Sequence, residues 1–375
     1  MHIERLSMSG FRNFDSETVE LSPGANLLFG PNGSGKSNLL EGIFYLCTAK
    51  SFRGATDDVL LRDKSEFFRL VGEGSLNDSP LKIEIAYKPR EKKRIKINDV
   101  PETKLSTLYE YLKVVSFGPD DVELVYGPPT VRRRFLDISI AQLDRGYISL
   151  LWEYRKVLAQ RNALLRELGE AYDSLGAVDG DELLGVWDER LIEFGLAIHR
   201  ARARFIQRVS ELAGDFHSKL VNTDSRFDIK YTASPRLEEQ TEAAFKEKLA
   251  SRRRRELVMK QSMYGPHRDD LQFLLSDVDC RSFASRGQVK TAVLAIKLAV
   301  FEHIKALCGE TPILLLDEIY SDLDRNRLDS LSLLLPGLSQ VLVTTSKLEE
   351  VRDLDAFENS LSIIEGRVNK HKSQM

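Results

Sequence analysis

The chain has 375 residues, of which 42% are hydrophobic and 30% are charged, a composition that excludes disordered and fibrous proteins. Its 54 basic and 57 acidic residues leave a net charge of −3, so any anionic partner must be bound through local basic patches. The three cysteines form no CxxC pair, and no apolar run approaches the roughly 20 residues that span a bilayer. We therefore expect a cytoplasmic protein without a disulfide framework, a structural zinc site or a membrane partner.

The first thirty residues predict a hairpin that leads into a buried strand. Alternating residues end at the turn sequence of residues 22–24, and the apolar run of residues 27–29 follows. A glycine-rich segment comes next, and apolar residues then recur at helical spacing from Ser37 to Leu46. The glycine-rich segment therefore lies between a strand and a helix.

That segment matches the phosphate-binding motif G-x-x-x-x-G-K-[ST]. Its residues are Gly30, Pro31, Asn32, Gly33, Ser34, Gly35, Lys36 and Ser37. The glycines let backbone N–H groups surround phosphates at the positive end of the following helix. Lys36 neutralises phosphate charge, and the Ser37 hydroxyl binds Mg²⁺. We predict a nucleotide-binding site with a bound magnesium ion.

The spacing of apolar residues changes from a strand pattern to a helical pattern in the central part of the chain. Residues 67–117 contain short strands separated by turn residues, which predicts an antiparallel meander. From about residue 138 to residue 216, apolar residues recur mostly at three- and four-residue steps, which predicts two helices. A Gly- and Asp-rich break at 173–185 separates them, and the second would be roughly 45 Å long.

A second set of chemically important residues lies near the end of the chain. The apolar run Ile313–Leu316 is typical of a central parallel strand, and Asp317 and Glu318 follow it directly. Their carboxylates would serve as a metal ligand and as the group that polarises water. The residues Ser285, Arg286, Gly287 and Gln288 open a helical segment. Alone they fit either an ordinary helix cap or a second anion-binding site.

The order of these motifs resembles that of ABC-type ATPases, in which the signature segment of one subunit caps the nucleotide bound by the P-loop of the other. From residue 2 to about residue 365 the chain more closely resembles the RecF family of bacterial recombination-mediator ATPases. That resemblance rests on several segments in this order: Phe11-Arg12-Asn13-Phe14, the P-loop with Asn38-Leu39-Leu40-Glu41, Phe52-Arg53, Phe117-Gly118-Pro119-Asp120-Asp121, Gly127-Pro128-Pro129, Arg132 to Asp137, Gln160-Arg161-Asn162, Tyr264 to Asp270, and Ser285 to Gln288.

The resemblance implies an α/β fold with an ABC-type P-loop ATPase lobe formed by both chain ends, residues 1–120 and 260–375. An inserted, mainly helical subdomain would occupy residues 121–259. It also implies ATP with Mg²⁺, an ATP-dependent homodimer, and weak, DNA-stimulated ATP hydrolysis that acts as a switch. The implied partners are single- and double-stranded DNA and their junctions, together with RecR and RecO, which help to load RecA during gap repair.

Roles carried over from the family fall on matching positions. Lys36, Ser37 and Asn38 would contact ATP, Asp317 would complete the metal site with Ser37, and Glu318 would be the catalytic base. Ser285, Arg286, Gly287 and Gln288 would reach the partner's nucleotide. The resemblance also places Arg12 and Asn13 near the nucleotide and puts Asp322 and Asp324 in a loop that crosses the dimer interface.

The chain departs from the general ABC pattern at two points, and it carries one basic run that is a candidate for DNA contact. Thr344-Thr345-Ser346 stand where transporter-type ABC proteins carry a histidine that senses the γ-phosphate, so that role is unassigned or falls to Thr345. We find no glutamine-loop residue. The basic run Arg132, Arg133 and Arg134 is a candidate for DNA contact, although such a run is more often a solvated helix face. A transporter ATPase or the ATPase head of another SMC-like complex stays an alternative.

Overall fold

The computed structural model describes residues 2–175, 181–222, 226–236, 241–322, 327–329, 331, 340–351 and 354–371. None of the helices in these ranges is both long enough and apolar enough to cross a membrane. The chain divides into two compact units. Unit 1 comprises Met1–Glu123, Leu212–Phe227 and Phe283–Met375, and unit 2 comprises Leu124–Glu211 and Asp228–Ser282. The predicted division near residues 120 and 260 stays a prediction.

The strands of the described residues, in chain order, are β1 (His2–Phe11), β2 (Phe14–Glu20), β3 (Ala25–Phe29), β4 (Phe68–Leu76), β5 (Ser79–Tyr87), β6 (Arg94–Ile97), β7 (Val100–Glu102), β8 (Val114–Phe117), β9 (Phe227–Thr232), β10 (Asp270–Leu275), β11 (Val278–Asp279), β12 (Ile313–Leu316), β13 (Val341–Thr345), β14 (Asn359–Ile364) and β15 (Arg367–Lys370). The helices are α1 (Lys36–Thr48), α2 (Asp57–Leu60), α3 (Leu108–Tyr111), α4 (Glu123–Tyr126), α5 (Pro129–Ala141), α6 (Arg145–Leu175), α7 (Asp181–Val221), α8 (Glu242–Ala250), α9 (Arg253–Met259), α10 (Cys280–Phe283), α11 (Arg286–Cys308) and α12 (Ile319–Asp322).

A six-stranded sheet in unit 1 positions the site. Its strand order is β15-β14-β3-β13-β12-β8. From β14 to β8 all neighbouring strands are parallel, and only β15 runs antiparallel to its neighbour. Strand β12 is buried along its whole length, as the apolar run predicted. Because parallel strands end at the same edge of the sheet, the segments that follow β3, β8, β12 and β13 meet there.

A second sheet in unit 1 is antiparallel, with the order β2-β1-β4-β5-β6-β7. It confirms the predicted first hairpin and most of the predicted meander. The last predicted strand of that meander, β8, instead pairs in parallel with β12. All four residues of β8 are buried, and a strand buried on both faces fits the interior of a parallel sheet better than a half-exposed meander.

Unit 2 contains α5, α6, most of α7 and the sheet β11-β10-β9. The two predicted long helices are present, with 31 residues in α6 and 41 in α7. Helix α7 is therefore about 60 Å long at 1.5 Å per residue. It exceeds the predicted length because it begins at Asp181, within the predicted break, and continues to Val221. The small sheet is a feature that the helical period of the sequence did not indicate.

Buried charged groups hold unit 2 together. Arg161 is fully buried and pairs with Asp188 at 2.7 Å and with Glu256 at 2.6 Å. Arg202 pairs with Asp137 at 2.8 Å and with Asp269 at 2.7 Å. Burial acts to raise the pKa of Asp269, but its contacts with His199 and Arg202 hold that pKa below its usual value. Since unpaired buried charges cost several kcal/mol, these networks account for the arginines within the apolar helices.

Candidate nucleotide-binding site

The predicted P-loop connects β3 to α1, as the sequence indicated. Gly30, Gly33 and Gly35 have φ angles of 151°, 79° and 118°, in the region that favours glycine. Gly35 also leaves no room for a side chain, since a Cβ atom there would lie 2.6 Å from Asn13 Nδ2. The loop conformation therefore requires glycine at this position.

Lys36 lies at the start of α1 and is only 4% exposed. Its Nζ donates to the carbonyl oxygens of Gly30 at 2.8 Å and Pro31 at 3.1 Å. The same ammonium lies 3.0 Å from Glu318 Oε1. The structure thus brings together the lysine and the glutamate that the sequence assigned to one site, although most of the chain lies between them.

Ser37 and Asp317 also meet directly. The Ser37 hydroxyl donates to Asp317 Oδ1 at 2.7 Å. Thr344, at the end of β13, donates to the same oxygen at 2.7 Å. Burial raises the pKa of Asp317, and the two hydroxyl donors oppose that rise. A serine hydroxyl beside a carboxylate offers the oxygen donors that Mg²⁺ prefers.

Glu318 is held by backbone contacts as well as by Lys36. Its φ is 48°, a left-handed conformation that costs a non-glycine residue of the order of 1 kcal/mol. Its N–H donates to Thr344 Oγ1 at 2.7 Å, and its Oε2 accepts from Ser346 N at 3.1 Å. The hydroxyl of Thr344 therefore orients both acidic residues of the site.

The Thr344-Thr345-Ser346 segment thus has a definite place in the site. Thr345 Oγ1 donates to the Lys347 carbonyl and accepts from the Lys347 N–H, both at 3.1 Å, which keeps it within its own turn. Thr344 is the threonine that contacts the acidic pair. The γ-phosphate-sensing role, which the sequence left unassigned or gave to Thr345, stays a prediction. In a strand, neighbouring side chains point to opposite faces, so only the register of β13 could decide between them.

A second chain of polar contacts borders the P-loop. Asn13 donates to the Ser34 carbonyl at 2.9 Å, and Asn38 donates to Asn13 Oδ1 at 2.8 Å. Arg53 donates to Asn38 Oδ1 at 3.1 Å, and its other terminal nitrogen lies 3.7 Å from Asp317 Oδ2. Arg53 lies in one of the segments that carry the family resemblance, which gave it no role. Its contact with Asp317 makes it a member of the site.

Arg12, in contrast, faces away from this chain of contacts. Its guanidinium forms two hydrogen bonds to the buried carboxylate of Glu41, at 2.8 and 3.0 Å. Glu41 also accepts a short hydrogen bond from Ser51. The neighbouring Asn13 contacts the P-loop, whereas Arg12 stabilises the start of the hairpin turn against α1. The two residues predicted to approach the nucleotide are therefore placed differently.

Two features of the described P-loop residues bear on phosphate binding. The Ser34 hydroxyl is buried and has no hydrogen-bond partner among the described residues. A Cβ atom at Gly33 would meet nothing within 4 Å. A buried hydroxyl without a partner costs free energy that an anion could recover. These features fit a bound phosphate, with Lys36, Ser37 and Asp317 as the groups that would hold it and its Mg²⁺.

The signature residues begin α11. Ser285 is its N-cap, and Ser285 and Gln288 form a reciprocal capping box through Gln288 N and Ser285 N. Ser285, Arg286, Gly287 and Gln288 are all exposed. Phe283, just before them, is 78% exposed. An exposed helix N-terminus beside a large apolar side chain is accessible to a second molecule.

The remaining predicted residues are placed as follows. The backbone of Asp322 ends α12, and Asp324 lies outside the described residues. Arg132 is 2% exposed; its guanidinium lies 2.5 Å from Asp270 and donates to the Gly127 carbonyl at 2.8 Å. Arg133 is half-buried and donates to the Asp269 carbonyl at 2.9 Å. Because Arg132 is committed to internal partners, it is not available to a DNA phosphate.

The sequence of this chain is similar to those of known DNA repair proteins. Residues 2–366 match the family described as RecF/RecN/SMC N terminal domain. The chain is 35% identical over 371 residues to the DNA replication and repair protein RecF of Lachnoclostridium phytofermentans, which covers 99% of this chain and 100% of that protein. It is also 35% identical to the protein of the same name from Halalkalibacterium halodurans, with 94% of each chain covered.

Solved structures confirm the predicted fold class. The recombination mediator protein RecF with ATP, described in the RecFOR pathway, matches with a TM-score of 0.90 and 30% identity, covering 99% of this chain and 98% of that one. An Smc head bound to the C-winged helix domain of ScpA matches with a TM-score of 0.55 at 15% identity, which shows the shared α/β fold of ABC-type ATPase heads. The family match and the sequence relatives point to the same family, and the P-loop with its acidic pair is consistent with it. The chain belongs to the RecF family of DNA replication and repair proteins.

Proposed function

We propose that this chain is an ATP-dependent DNA-binding protein of recombinational gap repair and replication restart. An ATP-induced homodimer would bind DNA at junctions of single and double strands in the cytoplasm and, with RecO and RecR, help to load RecA. Slow, DNA-stimulated hydrolysis would return it to the monomer. The observation that carries the proposal is the hydrogen-bonded set of Lys36, Ser37, Asp317 and Glu318 at the P-loop of a RecF-family chain.

The geometry supports ATP hydrolysis. Lys36 and the N–H groups of the P-loop would bind the β- and γ-phosphates, and Mg²⁺, when held by Ser37 and Asp317, supplies charge neutralisation. Water would attack the γ-phosphorus, forming a new P–O bond while the bond to the β-phosphate oxygen breaks. Glu318 would accept the proton of that water. For this, its carboxylate must leave Lys36, since the two now form an ion pair at 3.0 Å.

The exposed start of α11 supports a dimer. Ser285, Gly287 and Gln288 are accessible at a helix N-terminus, where backbone N–H groups attract anions. In a sandwich of two chains they would meet the γ-phosphate held by the partner's P-loop. A nucleotide with its γ-phosphate would thus join two subunits, whereas ADP would not.

DNA contact is supported by the family and not by the basic runs. Besides Arg132, Arg253 pairs with Asp188 at 2.5 Å and Lys93 pairs with Asp57 at 2.9 Å. Each of the basic runs 132–134, 252–255 and 92–94 therefore has one member paired with an internal carboxylate. We propose that the ATP-bound dimer creates the DNA-binding surface by bringing two chains together. A head ATPase of another SMC-like complex stays the alternative, and only the shared fold supports it.

Fluorescence anisotropy of a labelled gapped DNA tests the proposal. The Glu318→Gln protein, which should bind ATP without turning it over, is titrated with and without ATP and Mg²⁺ at several salt concentrations. We expect tight binding only with ATP, weakening linearly on a log–log plot against salt. Binding that does not respond to ATP, or no binding, would contradict the proposed ATP-dependent DNA binding and favour the alternative.

Light scattering of the parent protein tests the dimer separately. We expect the mass to double with ATP and Mg²⁺ and to stay that of the monomer with ADP. A monomer in both conditions would contradict the sandwich mechanism, even if DNA were bound.

A further inference from the structure

We propose that the ion pair between Lys297 and Asp121 positions the signature helix against the loop that contacts the metal-site carboxylate Asp317. The pair would thereby couple the P-loop site of a subunit to the signature that the same subunit presents to its partner. The inference rests on the proposed ATP-dependent dimer. It adds Lys297, which lies outside the segments that carry the family resemblance, and gives a role to Asp121, which lies in one of them. All of its residues lie in unit 1.

Lys297 occupies an unusual position in α11. Every residue from Thr291 to Phe301 is buried, Lys297 included, and its neighbours in this stretch are otherwise almost all apolar. An ammonium group in such a place is costly unless it is paired. Its Nζ lies 2.6 Å from Asp121 Oδ1, with side-chain exposures of 11% and 25%. The pair is therefore shielded enough from solvent to act as a specific contact.

Asp121 uses its two carboxylate oxygens for two different elements. Oδ1 faces Lys297, and Oδ2 accepts from the backbone N–H of Gly118 at 2.9 Å. The Asp121 N–H also donates to the Gly118 carbonyl at 3.0 Å. One carboxylate thus holds α11 on one side and the loop after β8 on the other.

That loop is in contact with Asp317. The Asp317 N–H donates to the Phe117 carbonyl at 2.8 Å. A Cβ atom at Gly118 would lie 3.0 Å from Asp317 Cβ and 3.6 Å from Asp317 Oδ2. The backbone of Gly118 therefore packs directly against the aspartate side chain, and a shift of the loop would alter the space around the carboxylate that also binds Ser37 and Thr344.

The other end of α11 gives the pair its functional consequence. Ser285 precedes Lys297 by twelve positions, or roughly 18 Å along the helix axis. A rigid helix transmits a displacement at Lys297 to its exposed N-terminus. If the pair is lost, the P-loop should still bind ATP, because Lys36 and Ser37 are untouched. The signature helix would no longer be held in register with the metal site, and dimer closure should weaken.

Two measurements on the full-length protein separate these effects. Nucleotide affinity is measured at a protein concentration where the chain is monomeric, and the dimer dissociation constant is measured by analytical ultracentrifugation with ATPγS and Mg²⁺. The variants are Lys297→Met, which keeps the length of the side chain, Lys297→Arg, and Asp121→Asn, which keeps an acceptor for the Gly118 N–H. Lys305→Met, in the last turn of the same helix, is the matched control.

We expect Lys297→Met to weaken dimerisation about tenfold or more while nucleotide affinity changes less than about threefold. Lys297→Arg should recover most of the loss, since it restores the charge. The double variant Lys297→Met/Asp121→Asn should be no worse than Lys297→Met alone, because residues that act as one pair are not additive. Lys305→Met should match the parent.

Some results would overturn the inference. Dimerisation of Lys297→Met equal to that of Lys305→Met would do so, as would strictly additive effects in the double variant. A parallel loss of nucleotide affinity in all Lys297 and Asp121 variants would indicate a purely structural role. If the parent itself stays monomeric with ATPγS and Mg²⁺, the proposed dimer and this inference both fail. If the parent dimerises and the Lys297 and Asp121 variants dimerise equally well, only this inference fails.

Discussion

Replacing Thr344 with valine removes one hydroxyl group from the site and keeps the β-branched shape of the side chain. That hydroxyl donates to Asp317 Oδ1 and accepts from the Glu318 N–H, both at 2.7 Å. Asp317 keeps its hydrogen bond from Ser37, but the Glu318 N–H loses the acceptor that supports its left-handed conformation. The perturbation therefore acts on the position of the Glu318 carboxylate, which we propose as the catalytic base.

The magnitude follows from the two lost contacts. Leaving a buried polar group without its partner costs about 1–3 kcal/mol. The Glu318 N–H loses its partner completely, whereas Asp317 keeps one hydrogen bond, so we expect a total cost of about 2–3 kcal/mol. At about 1.4 kcal/mol for each factor of ten in rate, and with part of the cost falling on folding stability, we expect kcat to fall roughly 10- to 100-fold. Affinity for ATP should change much less, since Lys36 and the P-loop are untouched.

The assay is phosphate release at saturating ATP and Mg²⁺, with nucleotide affinity measured in parallel. Thr344→Ser keeps the hydroxyl and should retain hydrolysis within about threefold. Thr345→Val is the matched control, because its hydroxyl bonds only to the backbone of Lys347 among the described residues. Parental hydrolysis by Thr344→Val, or an equal loss in Thr345→Val, would refute the role of Thr344 in orienting Glu318.

Three further predictions test other parts of the molecule. Glu318→Gln should bind ATP and accumulate the dimer with hydrolysis reduced at least about 100-fold; phosphate release at the parental rate would show that Glu318 is not the base. Lys36→Arg should weaken ATP-driven dimerisation about tenfold or more, because a larger planar group replaces a buried ammonium that has three acceptors within 3.1 Å; an unchanged dimer mass in light scattering would contradict this. Burial lowers the pKa of His267 from 6.5 to about 4, so its contribution to stability is present above pH 6.5 and is lost as the pH falls toward 4. Urea unfolding at pH 7.5 and pH 5 should show a fall in the free energy of unfolding about 2 kcal/mol larger for the parent than for His267→Gln, and equal falls would argue against a buried neutral histidine.

The local chemistry of the site could be predicted from sequence because it depends on short segments. The P-loop needs left-handed glycines followed by a lysine and a serine within eight residues, and the structure shows positive φ at Gly30, Gly33 and Gly35. Strand β12 is a continuous apolar run, and its acidic pair follows at once. Such features depend on residues that are neighbours in the chain, so they can be recognised without knowledge of the fold.

Other features depend on residues that meet only after folding. That Thr344 rather than Thr345 contacts the acidic pair is set by the register of β13 between β3 and β12. That Arg132 pairs with Asp270 inside unit 2 is set by the packing of α5 on β10, and no charge run in a sequence reveals a partner so distant in the chain. The pair of Lys297 with Asp121 belongs to the same class. Sequence by itself determined which groups are candidates for the chemistry. Tertiary structure decided which of them are buried, paired and oriented, because burial and pairing are properties of long-range contacts.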